Sequence, residues 1–339
     1  METIVCKCRV ITPMFSSGNN QKQCEIRVPE IKAAMRFWWR AAHSNLSPDE
    51  LRKKETLIFG GSGDEEARKS SFTMRVENAR INYYGQKEWD SDLIKNYKVA
   101  ATRQGQKISV GLFDYLAYGV AVYDKEQRKN LLQCAGIAPE SEFDLIVCVD
   151  KEFKSDVEES LKLFSCFGAI GSKSRNGFGK IVIDKINTNF EELCNKYCVN
   201  NDSYPEYTAF GQYLSVFRTK KSYGSWHEAL FQIGKAYREA RIGEHATEGL
   251  LGDHHSGENR RYVALPLTID RKDVKDKSIS ISRMTKQFFM IVEPENGGFR
   301  GYILHLPFNF EKFGNIECYE KAYDAMIDSF NKSQVLERR

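Results

Sequence analysis

Residues 3–12, TIVCKCRVIT, alternate apolar and polar positions and are rich in β-branched side chains, which predicts a strand. Pro13 ends the pattern, and MFSSGNNQKQ is a polar loop. From about 30 to 44 the period changes: Ile31, Ala34, Met35, Trp38 and Ala42 recur at helical spacing, with Pro29 at the first turn and Glu30 near the positive helix end. FGGSGD (59–64) reads as a turn. SFTMRVENARI (71–81) reads as a strand, and KISVGLFDYLAYGVAVYD holds at least one further apolar element. EFDLIVCVD (142–150) is a strand. DVEESLKLFSCFGAIG is a helix with Asp156 near its start and Gly168 and Gly171 at its end. KIVIDKI is a strand after the glycine loop KSRNGFG.

The stretch 187–208 is polar and turn-rich, and a boundary is placed there. Beyond it the pattern echoes more loosely. FGQYLSVFRTK is a strand, and SWHEALFQIGKAYREAR (225–241) an amphipathic helix with Ser225 as its cap. A long polar loop, GEHATEGLLGDHHSGENRR, precedes YVALPLTI and QFFMIVEPENGGFRGYILHLP, read as strands with a glycine turn between them. IECYEKAYDAMIDSFNKSQ is helical. This order predicts an α+β fold of two ferredoxin-like (RRM-like) domains, antiparallel sheets with helices on one face, over residues 1–190 and 209–339.

Composition changes this picture little. At 339 residues, with 41% apolar and 28% charged positions, the chain suits two globular domains. No run approaches the ~18–20 apolar residues of a membrane span. METIVCKCRV lacks the layout of a signal peptide, so a cytoplasmic location without membrane partners is expected. The nine cysteines are scattered, unlike a disulfide scaffold, and Cys6 and Cys8 share a strand face. A net charge of +4 decides nothing until the cations are placed.

Two clusters stand out. Lys32, Arg36 and Arg40 are spaced four apart and form a basic stripe beside the apolar one, with Trp39 at its flank. Arginine forks match phosphate oxygens and indole faces accept bases, so this stripe is a candidate RNA surface, with Trp38 in the core and Trp39 partly exposed. The alternative is an ordinary solvated face. The second cluster is GSKSRNGFGK (171–180). Ser172, Lys173, Ser174, Arg175, Asn176, Phe178 and Lys180 are interleaved with glycines that let a backbone approach an anion closely. Its spacing is not that of a P-loop.

Arg260 and Arg261 in HHSGENRRY are further candidates for RNA. His245, His254, His255, Cys194 and Cys198 do not reach zinc-site spacing, and neither metal nor cofactor is expected. Hydrolase signatures are lacking. His43, seven residues after Arg36, is the one histidine near the stripe with the placing of a general base on a 2′-hydroxyl.

TPMFSSG, RVPEIKAAMRFWWR, FGG and GAIGSKSRNGFGK together resemble the RAMP superfamily of CRISPR-associated proteins. They are most similar to the two-domain subunit on the crRNA 3′-end side of type III-B (Cmr) effector complexes. Arg27, Pro29, Lys32, Arg36, Phe37, Trp38, Trp39 and Arg40 occupy the family's motif positions over roughly residues 1–185, while Ala33 stands where the family pattern has glycine. The resemblance implies two ferredoxin-like domains and no catalytic role. It implies contacts to the crRNA 3′ region and target RNA, and docking on other RAMP subunits. The rival expectations are a metal-independent RAMP endoribonuclease using His43, His254 or His255, and an assembly module whose tryptophans bury against a protein partner.

Overall fold

The computed structural model describes residues 1–20, 22–62, 67–103, 106–186, 189–198, 203–242, 263, 286–309 and 316–339. The first unit runs β1 (Glu2–Val10), α1 (Val28–Ala42), α2 (Pro48–Phe59), β2 (Phe72–Arg80), an insertion carrying α3 (Leu112–Leu116), β3 (Glu142–Val149), α4 (Lys154–Phe167) and β4 (Ile181–Ile183). Its four strands are antiparallel in the order β4-β1-β3-β2. Period-two alternation puts Cys6, Cys8 and Val10 of β1 on the covered face, where Leu145 and Val147 of β3 join them. Leu161 and Phe164 of α4 and Ile31, Met35 and Trp39 of α1 pack onto that face.

A connecting helix, α5 (Phe190–Tyr197), leads into the second unit. That unit repeats the plan with β5 (Ser215–Thr219), α6 (Trp226–Ile242), β6 (Phe288–Glu295), β7 (Gly298–His305), α7 (Ile316–Asn331) and β8 (Leu336–Arg338). Its strand order, β6-β7-β5-β8, is the same order read from the other edge. Two antiparallel four-stranded sheets of ferredoxin-like connectivity therefore stand in tandem, as the periodicity predicts. Ser225 caps α6 as expected: its hydroxyl accepts from the Glu228 amide at 3.3 Å, and the Glu228 carboxylate accepts from the Ser225 amide at 3.2 Å.

The units share an apolar seam. Along β6, Phe288, Met290 and Val292 face the core of the second unit, whereas Phe289 and Ile291 face Trp38, Phe167 and Phe210. Both faces of β6 are buried, which is why FFMIV is apolar without alternation. One buried ion pair crosses the seam, between Lys180 beside β4 and Glu293 of β6.

Several sequence readings change. Residues 48–59 form α2, a helix that the apolar pattern does not announce although its capping box (Ser47, Pro48, Glu50) is written in the sequence. The polar stretch after residue 187 contains α5, capped by the Asn189 side chain. The apolar stretch 107–124 resolves into a strand, α3 and a second strand (Ala121–Asp124). YVALPLTI lies outside the described residues except for Val263, which is buried. Among the described residues no helix is long and apolar enough to cross a membrane.

Candidate nucleic-acid interface

The basic stripe of α1 is partly neutralised. The α2 helix places the buried carboxylate of Glu55 against it: Arg36 pairs with Glu55, and Arg40 lies 3.8 Å from the same oxygen. Lys32 sits 5.0 Å from the centre of the Phe72 ring, and burial, helped by Arg36, pulls its pKa down. Trp39 is not partly exposed, as its place on the flank suggests, but 1% exposed. Phe59 of α2 packs edge-on to its ring and His43 stacks on it at 4.2 Å. The row that faces the first sheet is Ile31, Met35 and Trp39, spaced by four, and Trp38 instead enters the seam between units. His43 is tied to its own helix, its Nδ1 lying 2.7 Å from the Trp39 carbonyl oxygen, while Nε2 is 3.7 Å from Glu159.

The glycine loop is built as a sharp reversal against the chain end of β1. Gly171, Gly177 and Gly179 all have positive φ. A Cβ at Gly179 would sit 1.9 Å from the Ile170 carbonyl oxygen, so side chains are barred there. The Ser172 amide donates to the Phe15 carbonyl at 2.8 Å and the Gly179 amide to the Pro13 carbonyl at 2.9 Å, which binds the loop to the TPMF segment.

This reversal sends the loop's members in opposite directions, and two predicted RNA contacts turn inward. Phe178 is fully buried, with its ring against Phe15 and Trp89. Lys180 is 2% exposed, and its ammonium donates to the Ser165 and Cys166 carbonyls at 2.6 Å each while pairing with Glu293. Neither reaches a ligand on the surface. With Trp39, they are supports of the site.

Lys173, Ser174, Arg175 and Asn176 line a cleft of about 400 Å³ at the seam, together with Tyr115, Leu116 and Tyr118 from the insertion, Tyr237 and Arg241 from α6, and Lys286. Ser172 stands at its edge in sequence. Arg175 donates to the Lys286 carbonyl and lies 4.5 Å from the Phe289 ring centre and 5.2 Å from that of Phe37. Burial brings its pKa down to about 10. The Lys286 ammonium donates to Asn176 Oδ1 at 2.6 Å and the Arg175 carbonyl at 3.3 Å, and lies 4.1 Å from the Tyr237 ring centre. Burial first, then the Arg241, Arg175 and Lys173 charges, push its pKa well below that of an ordinary lysine.

Arg241 donates to the Tyr115 hydroxyl at 2.8 Å, and its buried Nε has no acceptor among the described residues. No described residue lining the cleft is acidic, and none of its four cations has an ion-pair partner among the described residues. The contrast with Arg36 and Lys180, each facing a carboxylate, is chemical. Clustered cations in a partly dry cleft repel one another unless an anion joins them.

Arg241 and Lys286 escape a reading of the sequence because each is an ordinary cation in its own segment: Arg241 sits in the last turn of α6 and Lys286 just before β6. The Arg260 and Arg261 candidates, and His245, His254 and His255, lie outside the described residues. Cys194 is buried in the seam, and Cys198 faces the Gly211 carbonyl at 3.3 Å.

Fold and site together define a tandem ferredoxin-like protein with an uncompensated cationic cleft between its units. A family model, the RAMP superfamily, matches residues 7–182, from β1 to β4 and including the glycine loop, and the chain belongs to that family. Among solved structures it is similar to the crystal structure of apo Cmr1 from Pyrococcus furiosus, with a TM-score of 0.57 and 16% identity, covering 100% of this chain and 98% of that one. A chain of the cryo-EM structure of type III-B Cmr-β bound to cognate target RNA gives a TM-score of 0.48 and 14% identity, covering 97% of this chain and 100% of that one. At these identities the likeness to Cmr1 is one of fold. No curated protein matches the chain.

Proposed function

We propose that this chain is a non-catalytic RNA-binding subunit of a type III-B (Cmr) CRISPR ribonucleoprotein, contacting the crRNA 3′ region and target RNA beside other RAMP subunits. The observation that carries the reading is the cleft: four cations held by neutral acceptors, with no carboxylate among the described lining residues. Phosphate groups of a nucleic acid supply the missing charge, and the family and fold make RNA the fitting polymer. Lys173, Ser174, Arg175 and Asn176, flanked by Ser172, form the inner contact. Lys32, Arg36 and Arg40 form an outer, partly neutralised surface, and Arg260 and Arg261 extend it in sequence. Trp39, Phe178 and Lys180 hold these surfaces in place.

The test is a salt titration of RNA binding by the full chain, alone and in its assembled complex. Lys173→Ala with Arg241→Ala removes two phosphate contacts, so the slope of log affinity against log salt should flatten by about 1.4 for a single strand. A folded double variant with unchanged affinity and slope refutes the reading. The nuclease alternative would require His43 to face substrate, yet its ring is stacked on buried Trp39 and hydrogen-bonded to the helix.

A further inference from the structure

We infer that the cleft seats one nucleotide of a single-stranded RNA segment, its phosphate on Lys286 and Arg241 and its base against the ring of Tyr118; this rests on the RNA-binding reading above. Three independent features point to that occupant. The first is size. A cavity of about 400 Å³ lies at the small end of ligand sites, enough for one nucleotide and too narrow for a paired helix.

The second is charge. Lys286 is held by a carbonyl and an amide oxygen alone, and Arg241 keeps a buried Nε without an acceptor among the described residues. A phosphate oxygen supplies both what Arg241 lacks and the countercharge that Lys286, Arg175 and Lys173 lack together. The depressed pKa of Lys286 shows how strongly burial and these neighbouring cations oppose its charge.

The third feature is aromatic. Tyr118 lies on the cleft wall yet is 76% exposed. The same turn brings Gly119 close to Lys173: a Cβ built on Gly119 would stand 3.8 Å from the lysine Nζ. A bare ring next to an ammonium matches the pairing of base stacking with phosphate contact that single-strand binders use. Duplex RNA keeps its bases stacked on one another and has no face to offer Tyr118.

The experiment compares fluorescence anisotropy of a labelled short single strand and of its duplex on the full chain, with Tyr118→Ala and Lys286→Met. Tyr118→Ala should weaken the single strand by about fivefold or more, leaving the duplex and the melting temperature unchanged. Lys286→Met should weaken the single strand by about tenfold. Micromolar inorganic phosphate should leave the single strand bound, and displacement by it marks a free-anion site and overturns the inference. Equal dependence of single strand and duplex on Tyr118 also overturns it. If both variants bind like the parent while Lys173→Ala with Arg241→Ala loses affinity, the nucleotide socket is wrong and the RNA-binding reading stands. If the parent chain binds no RNA, alone or in its complex, that reading falls first.

Discussion

Replacing Lys180 by methionine tests whether this lysine serves the seam rather than the ligand. The side chain is 2% exposed and its partner Glu293 is 12% exposed, so the pair is removed from water. Methionine keeps the stem's volume but leaves a buried carboxylate without its cation, and the Ser165 and Cys166 carbonyls without their shared donor. Breaking a buried pair on one side costs about 3–5 kcal/mol, and each unsatisfied carbonyl about 1–3 kcal/mol when counted alone. These terms overlap, so the net loss should be about 3–5 kcal/mol, read from urea unfolding followed by circular dichroism. Adding Glu293→Leu removes the stranded charge and should restore the variant to within about 2 kcal/mol of the parent. A single variant within about 1 kcal/mol of the parent, or a double variant no better than the single, refutes the assignment.

Two further outcomes follow from the charges around the site. Burial and neighbouring cations lower the pKa of Lys286, and a bound phosphate raises it again, so binding takes up a proton. RNA affinity should therefore be greatest below the pKa that Lys286 has in the free protein and fall as pH rises through it, by at most about tenfold per pH unit for one proton; a Lys286→Met profile as steep as the parent's counts against this linkage. Glu55→Gln removes the carboxylate that occupies Arg36 and Arg40. If the α1 stripe meets RNA, the salt slope of the full chain should steepen by about 0.7 for each additional phosphate neutralised, and an unchanged slope places the stripe away from the RNA.

Much of the architecture was legible because it depends on local period. Alternation in TIVCKCRVIT, the row Ile31–Met35 at helical spacing, and the strand–helix order of both halves define elements whose apolar faces need a sheet or helix to cover them. The glycines of 171–179 announced a sharp loop, and positive φ at Gly171, Gly177 and Gly179 gives the reason. The α2 helix was equally legible through Ser47, Pro48 and Glu50, but its consequence was not: nothing in one segment says that Glu55 will meet Arg36 or that Phe59 will cover Trp39.

The sequence by itself determined two ferredoxin-like patterns, a basic helix and a basic glycine loop. Only the tertiary structure decided which cations remain without a countercharge. Lys173 and Lys180 are seven residues apart in one loop, yet one lines an acid-free cleft and the other is locked to Glu293. Periodicity reports which face a residue occupies. Charge compensation depends on what another segment brings to that face, and Arg241 and Lys286 join Arg175 only when the two units close on their shared seam.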